Sequence, residues 1–208
     1  MRLPIAREGW PFILAPAVAA LGLALAGRRR LALPFAAGMA AALGFFRDPE
    51  RTPPAAGNVV LAPADGRVTA VDEAVDPFVG AAVRVSIFLS PLDVHVNRAP
   101  IAGLVSDTAY TPGRFVAAFR REAGDVNERC AVRLQGAHAR ITVVQVAGAA
   151  ARRIVCRVGP GDKLAAGERF GMIRFGSRTD CYMPRGTEVT VRPGDRVIGG
   201  VSVIGVLR

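Results

Sequence analysis

Two apolar runs open the chain, residues 10–26 and 31–46, divided by Arg28-Arg29-Arg30 and ended by Arg47-Asp48-Pro49-Glu50-Arg51. The pattern predicts a hydrophobic helical hairpin over residues 1–51 that anchors the protein to a membrane. Each run would extend about 25 Å as helix, short of the roughly 30 Å hydrocarbon core. A hairpin that spans the bilayer would carry the triple arginine across it, against the positive-inside tendency. A hairpin seated in one leaflet would let those arginines snorkel to head groups, and both arrangements stay open. Pro11 and Pro16 within the first run, and a second apolar run directly after it, argue against a cleaved signal peptide.

From Pro53 onward the pattern changes to short alternating runs rich in Val and Ile, broken by Gly, Pro and Asp. It predicts strands over residues 59–61, 66–71, 82–89, 94–96, 104–111, 131–134, 139–146, 151–158, 170–174, 180–183, 188–192 and 202–207. The fold class is therefore mainly β, a β-sandwich or barrel-like domain over residues 52–208. One segment repeats: Val158-Gly159-Pro160-Gly161-Asp162-Lys163-Leu164 returns as Val191-Arg192-Pro193-Gly194-Asp195-Arg196-Val197. Each copy reads as strand–turn–strand, similar to the hairpins of lipoyl-like domains, and two copies are too few for a solenoid. Residues 111–129 break the β pattern, with Phe115 and Phe119 four apart among Arg114, Arg120 and Arg121. That spacing predicts a short helix, either a mobile membrane-facing lip or a surface helix packing two Phe into the core.

Composition narrows the setting. Hydrophobic residues make up 51% of the chain, and net charge is +10, with Lys163 the single lysine among 27 basic residues. Guanidinium groups suit phosphate head groups, and with aromatics at 6% and no nucleic-acid module the chemistry favours a lipid surface over nucleic acid. Cys130, Cys156 and Cys181 are odd in number and form no CxxC, so they read as reduced thiols rather than a disulfide frame or metal site.

The candidate chemistry lies late in the chain, at Gly176-Ser177 within Arg174-Phe175-Gly176-Ser177-Arg178-Thr179-Asp180. A serine hydroxyl can attack the carbonyl before it where glycine leaves the approach open, although a β-turn is the plainer reading of the dipeptide. Lys163, in its Pro-Gly-Asp-Lys turn, reads as a solvated tip rather than a buried lysine that could hold pyridoxal phosphate. Serine also needs a base. Of the two histidines, His138 falls at a hairpin tip, whereas His95 follows a buried-looking strand in Leu89-Ser90-Pro91-Leu92-Asp93-Val94-His95. Asp65, in Ala62-Pro63-Ala64-Asp65-Gly66, is the carboxylate to pair with it, or simply part of a turn.

Taken together, those three motifs and the hydrophobic N-terminus resemble the phosphatidylserine decarboxylase proenzymes in their short form, over roughly residues 44–208. The resemblance implies self-cleavage between Gly176 and Ser177, into chains 1–176 and 177–208 that stay associated. Ser177 would become a pyruvoyl group, the enzyme's only cofactor, able to convert phosphatidylserine to phosphatidylethanolamine and CO2. It implies catalytic roles for Ser177, His95 and Asp65, the last matching the aspartate of the family's Asp-His-Ser triad. Longer members carry a second histidine three positions on, where this chain has Arg98. Arg178, by its place beside the cleavage site, and Phe115 and Phe119, as a lip, are candidate substrate-binding residues. The implied setting is the cytoplasmic face of the cell membrane, and a homodimer is compatible with it. Two other readings differ in kind: a membrane-tethered lipoyl-like carrier or adaptor using Lys163, and a structural protein of the envelope.

Overall fold

A computed structural model describes residues 4–55, 57–118, 120, 122–149, 153–174 and 177–208, in two compact units, Met1–Glu50 and Arg51–Arg208. In the first, a 3-10 turn at Arg7–Gly9 leads into α1 (Trp10–Leu25), which packs against α2 (Arg29–Phe45). The open end of the hairpin is sewn shut: Ala6 N–H donates to the Phe46 carbonyl (2.8 Å), Asp48 N–H to that of Pro4 (2.7 Å), and Phe12 stacks on Phe46. A helix of a water-soluble domain hides its apolar stripe. Here Phe12, Leu14, Val18, Leu21 and Leu25 of α1, and Leu31, Leu33 and Phe35 of α2, are exposed. The stretch Arg7–Leu25 is long and apolar enough to cross a membrane by length and composition.

The second unit is antiparallel β structure. Its strands are β1 (Val59–Leu61), β2 (Gly66–Asp76), β3 (Gly80–Leu89), β4 (Val96–Arg98), β5 (Gly103–Thr111), β6 (Arg129–Gln135) and β7 (Arg140–Ala147). They continue as β8 (Arg153–Cys156), β9 (Lys163–Leu164), β10 (Arg169–Arg174), β11 (Ser177–Pro184), β12 (Glu188–Val189), β13 (Arg196–Val197) and β14 (Val203–Val206). Eight form one curled sheet in the order β13-β2-β3-β11-β7-β6-β5-β9, while β4-β10-β8 and β1-β14-β12 form two three-stranded sheets. Val85 and Ile87 of β3, Val143 of β7, Cys181 and Met183 of β11 and Phe170 of β10 meet in one core. Each large apolar side chain so buried contributes about 1.5–3 kcal/mol.

The repeated segment builds both ends of the large sheet. β9 pairs with β5 and β13 with β2, each entered through a turn whose aspartate accepts a backbone N–H, Asp162 from Gly159 (2.8 Å) and Asp195 from Arg192 (2.9 Å). The likeness reaches further than the repeat. Leu61 N–H donates to the Pro100 carbonyl and Arg98 N–H to that of Pro63, both at 2.8 Å; Gly200 N–H and Gly167 N–H donate likewise to Ala62 and Ala99. Ala62-Pro63-Ala64-Asp65-Gly66 and Ala99-Pro100-Ile101-Ala102-Gly103 are thus equivalent halves of one reciprocal crossing, with Asp65 standing where the other half has Ala102.

Residues 111–129 differ from the expected helix. Among the described residues only Ala123–Val126 is helical, as α3, because Pro112-Gly113 stops β5 and the Asn127 side chain takes over the backbone groups that a helix would use. Asn127 Oδ1 accepts from Val116 N (2.9 Å), and its Nδ2 donates to the carbonyls of Val116 (2.8 Å) and Ala147 (2.6 Å). All three cysteines are free. The neighbouring Cys130 thiol lowers that of Cys156, while burial pushes Cys181 up.

Gly66 begins β2 with φ +150°, where an added Cβ would stand 2.1 Å from the Phe88 carbonyl oxygen. Gly66→Ala should therefore cost about 3 kcal/mol, or roughly 6–12 °C of Tm. Thermal unfolding of purified protein checks this, and an unchanged Tm would contradict the tight β2–β3 approach.

Candidate active site

Two connections pass between sheets at the same corner. The chain leaves the large sheet at Leu89, the end of β3, and reaches β4 of the small sheet through residues 90–95. It returns from β10 to the large sheet at Ser177, the first residue of β11. Ser177 is paired with Leu89 on one side and Ala147 on the other, and the His95 carbonyl accepts from Ile173 N (3.2 Å). The two crossings therefore share their ends, Leu89 with Ser177 and His95 with Ile173. Ser177 and His95 are both fully buried. The Ser177 hydroxyl has no hydrogen-bond partner among the described residues. Gly176, the other half of the expected cleavage site, lies outside the described residues.

His95 is held by its own loop. Its Nδ1 lies 2.9 Å from the Asp93 carbonyl oxygen, which can only accept, so the neutral ring carries its proton on Nδ1 and its lone pair on Nε2. The Asp93 carboxylate folds the loop that presents this carbonyl, accepting from Ser90 N (2.8 Å) and Ser90 Oγ (2.6 Å), with the Arg196 guanidinium 3.5 Å away. A backbone carbonyl thus orients the imidazole as a carboxylate does in a catalytic triad.

Asp65 has different partners from the expected one. Among the described residues its carboxylate accepts two bonds from Arg51 (2.5 and 2.8 Å) and one from Gly199 N (2.8 Å), and Arg51 also donates to the Gly199 carbonyl (2.6 Å). A bidentate guanidinium fork thus holds the Asp65 carboxylate. Since Ala102 fills the equivalent place in the other half, the turn itself does not need the acid; the Arg51 clamp does. Arg98, at the second-histidine position of longer proenzymes, is buried and donates to the Gly167 carbonyl (3.0 Å).

Side chains alternate along a strand, so Arg178 faces away from Ser177. There its Nε donates to Asp180 (2.6 Å) and its Nη2 to Ser86 Oγ (3.1 Å), in a buried ion pair. It borders a hollow of about 410 Å³ with Thr69, Asp72 and Arg84. Phe115, by contrast, packs on Ala147 and Ile173, the neighbours of Ser177 and His95. Phe119 lies outside the described residues. His138 is exposed at the β6–β7 tip and Lys163 is exposed on β9.

A family model for phosphatidylserine decarboxylase matches residues 39–205. The chain belongs to the phosphatidylserine decarboxylase family. A phosphatidylserine decarboxylase proenzyme of Symbiobacterium thermophilum is 51% identical, with 100% of this chain and 98% of that protein covered. Proenzymes of the same name from Nitrosomonas europaea (47%, covering 96% and 94%) and Burkholderia mallei (44%, covering 98% and 95%) are similar over nearly their whole lengths. Membership in the phosphatidylserine decarboxylase family favours the decarboxylase over the carrier and envelope readings.

Arg51 escaped the sequence reading because one arginine among so many carries no spacing signal; its only hint was the Arg-Thr-Pro-Pro that starts the β unit. With side chains 9% and 14% exposed, the Arg51–Asp65 pair is costly to break from one side. Arg51→Met should destabilise the protein by about 2–4 kcal/mol in urea unfolding. Arg51→Lys should recover only part of that, since an ammonium cannot fork. A wild-type midpoint for Arg51→Met would show that the clamp holds nothing.

Proposed function

We propose that this chain is a proenzyme that cuts itself between Gly176 and Ser177 and then, as a pyruvoyl enzyme, decarboxylates phosphatidylserine to phosphatidylethanolamine. Family membership supports the substrate and the reaction. The observation that carries the self-cleavage is the Ser177 hydroxyl, fully buried with no hydrogen-bond partner among the described residues, at the corner where the segment bearing His95 also begins. A buried hydroxyl that forms no hydrogen bond gives up stability, and such groups belong to sites with a chemical task.

His95 Nε2 takes the Ser177 Oγ proton as that oxygen adds to the Gly176 carbonyl, and returns it to the Ser177 nitrogen when the C–N bond breaks. The peptide becomes an ester. Loss of the Gly176 carboxylate, with the Ser177 Cα proton removed, leaves dehydroalanine; water then replaces the nitrogen, which departs as ammonia. The resulting pyruvoyl group supplies an electron sink for the pair left behind by CO2. Residues fitting this group are those around Ser177: His95 as the proton carrier and Phe115 as an apolar wall that excludes water. Asp65 serves the site at one remove, clamping Arg51 and the Gly199 turn. Burial of Ser177 keeps lipid out until the cut frees the start of β11, which suits a proenzyme. The two products, 1–176 and 177–208, stay together because β11 pairs along its length with β3 and β7.

The exposed apolar side chains of α1 and α2 support a seat at a membrane, and Arg28, Arg29 and Arg30 suit the anionic head groups of its cytoplasmic face.

Ser177→Ala should remain one chain and release no CO2 from phosphatidylserine vesicles; decarboxylation at the wild-type rate by this variant would end the proposal. His95→Ala should cut itself about 10²–10⁴-fold more slowly. Deleting residues 1–46 should reduce binding to anionic vesicles by about tenfold or more while cleavage proceeds. Sedimentation with vesicles reads this directly, and undiminished binding would place the anchor elsewhere.

A further inference from the structure

The interlayer space beside Ser177 holds polar side chains that the proposed reaction leaves unused. Asn97 on β4, Gln145 on β7 and Thr179 on β11 are each fully buried. Gln145 Nε2 donates to Asn97 Oδ1 (2.8 Å), and Asn97 Nδ2 donates to Thr179 Oγ1 (3.4 Å). Gln145 and Thr179 already face each other in the β7–β11 pairing, so this chain of bonds fastens β4 of the small sheet to two strands of the large one. Room for the amide comes from Gly171 on β10, where a Cβ would stand 2.9 Å from Gln145 Nε2. Apolar side chains would fill the space more favourably, and Gln145 Oε1 has no partner among the described residues. A buried polar set kept despite an unmet acceptor needs a reason other than packing.

Register supplies the reason. His95 stands two residues before Asn97, and Ser177 two residues before Thr179. Extended chain returns every second side chain to the same face, so the Asn97–Thr179 bond is one alternate step from base and nucleophile, on the same two segments. Cys181 and Met183, further along that face of β11, lie in the core, which fixes the direction in which Ser177 and Thr179 point. The outward face carries Arg178 and Asp180, so a slip of β11 by one residue would replace the nucleophile with a guanidinium.

We propose that Gln145–Asn97–Thr179 is a positioning network for self-cleavage, locking β4 against β11 so that His95 stands opposite Ser177. None of the three touches the reacting atoms; the network acts through the offset of two strands. This inference rests on the self-cleavage reading and deepens it. A displacement near 1 Å between base and nucleophile costs on the order of 10²-fold in rate, which sets the scale of the effect.

The test follows scission of the full-length chain by intact mass after synthesis in wild type, Thr179→Ser, Thr179→Val and Gln145→Met. Hydroxylamine is added in parallel. It traps the ester by forming the Gly176 hydroxamate and releasing the Ser177 hydroxyl, leaving an N-terminal serine, so it reports the first step alone. Melting temperatures are measured with Ser177→Ala added, so that every protein compared is uncut. Thr179→Ser keeps the hydroxyl and should cut within about threefold of wild type. Thr179→Val and Gln145→Met should cut about 10–100-fold more slowly, with hydroxylamine scission slowed in proportion and melting temperatures within a few degrees. Gln145→Met tests the network should Thr179→Val fail to fold. Wild-type cutting by Thr179→Val overturns the inference, and so does Thr179→Ser as slow as Thr179→Val, or slowing that follows a large loss of melting temperature. An uncut wild type would instead overturn the self-cleavage reading and the inference with it.

Discussion

Side-by-side passage of two connections between sheets is the constraint from which the site follows. A β-sandwich separates its layers by about 10 Å, so a base on one layer and a nucleophile on the other meet only where the chain itself crosses. Here β3 hands over to β4 at the corner where β10 hands over to β11. The Leu89–Ser177 pair and the His95–Ile173 bond fix the two ends of that corner. In the reaction proposed, the Asp93 carbonyl would turn the imidazole, the Asn97 amide would set the offset, and Phe115 would cover the edge.

A reciprocal crossing of equivalent segments holds the corner in place. Ala62-Pro63 and Ala99-Pro100 exchange backbone bonds, and the glycines that follow each repeated turn bond back to them. Such pseudo-symmetry makes a rigid frame from short strands that would be marginal alone. The asymmetry at Asp65 and Ala102 marks the half that has acquired a second task. That acid draws in Arg51 at the start of the β unit and, through Gly199, the turn after β13. In the reaction proposed, Asp65 would contribute by rigidity, and the absence of a second histidine at Arg98 is consistent with one imidazole oriented by main chain.

Much of the frame was legible in the chain because its signals are local. Alternation along residues 82–89 and the paired Pro-Gly-Asp turns mark β3, β9 and β13, and the apolar runs mark α1 and α2. Tertiary choices were not legible. Phe115 and Phe119 have helical spacing, but Pro112-Gly113 and the Asn127 side chain divert the backbone, and only one turn of helix survives. Arg178 was singled out by its place beside the cleavage site alone; with Ser177 beginning β11, alternation turns the arginine to the opposite face. The partner of Asp65 is a matter of which of many guanidinium groups arrives, and no spacing rule encodes that. Ser177, His95 and Asp65 stood out through motif resemblance, whereas Asn97, Gln145 and Thr179 become visible only when three strands from two sheets are seen to converge.

The central claim is that the corner exists to break the chain. Its most direct test is the intact mass of freshly purified full-length protein, with and without a carbonyl-directed label. The account predicts two polypeptides, residues 1–176 and 177–208, with the label on the shorter one alone. A single polypeptide of full length that takes up no label would contradict it.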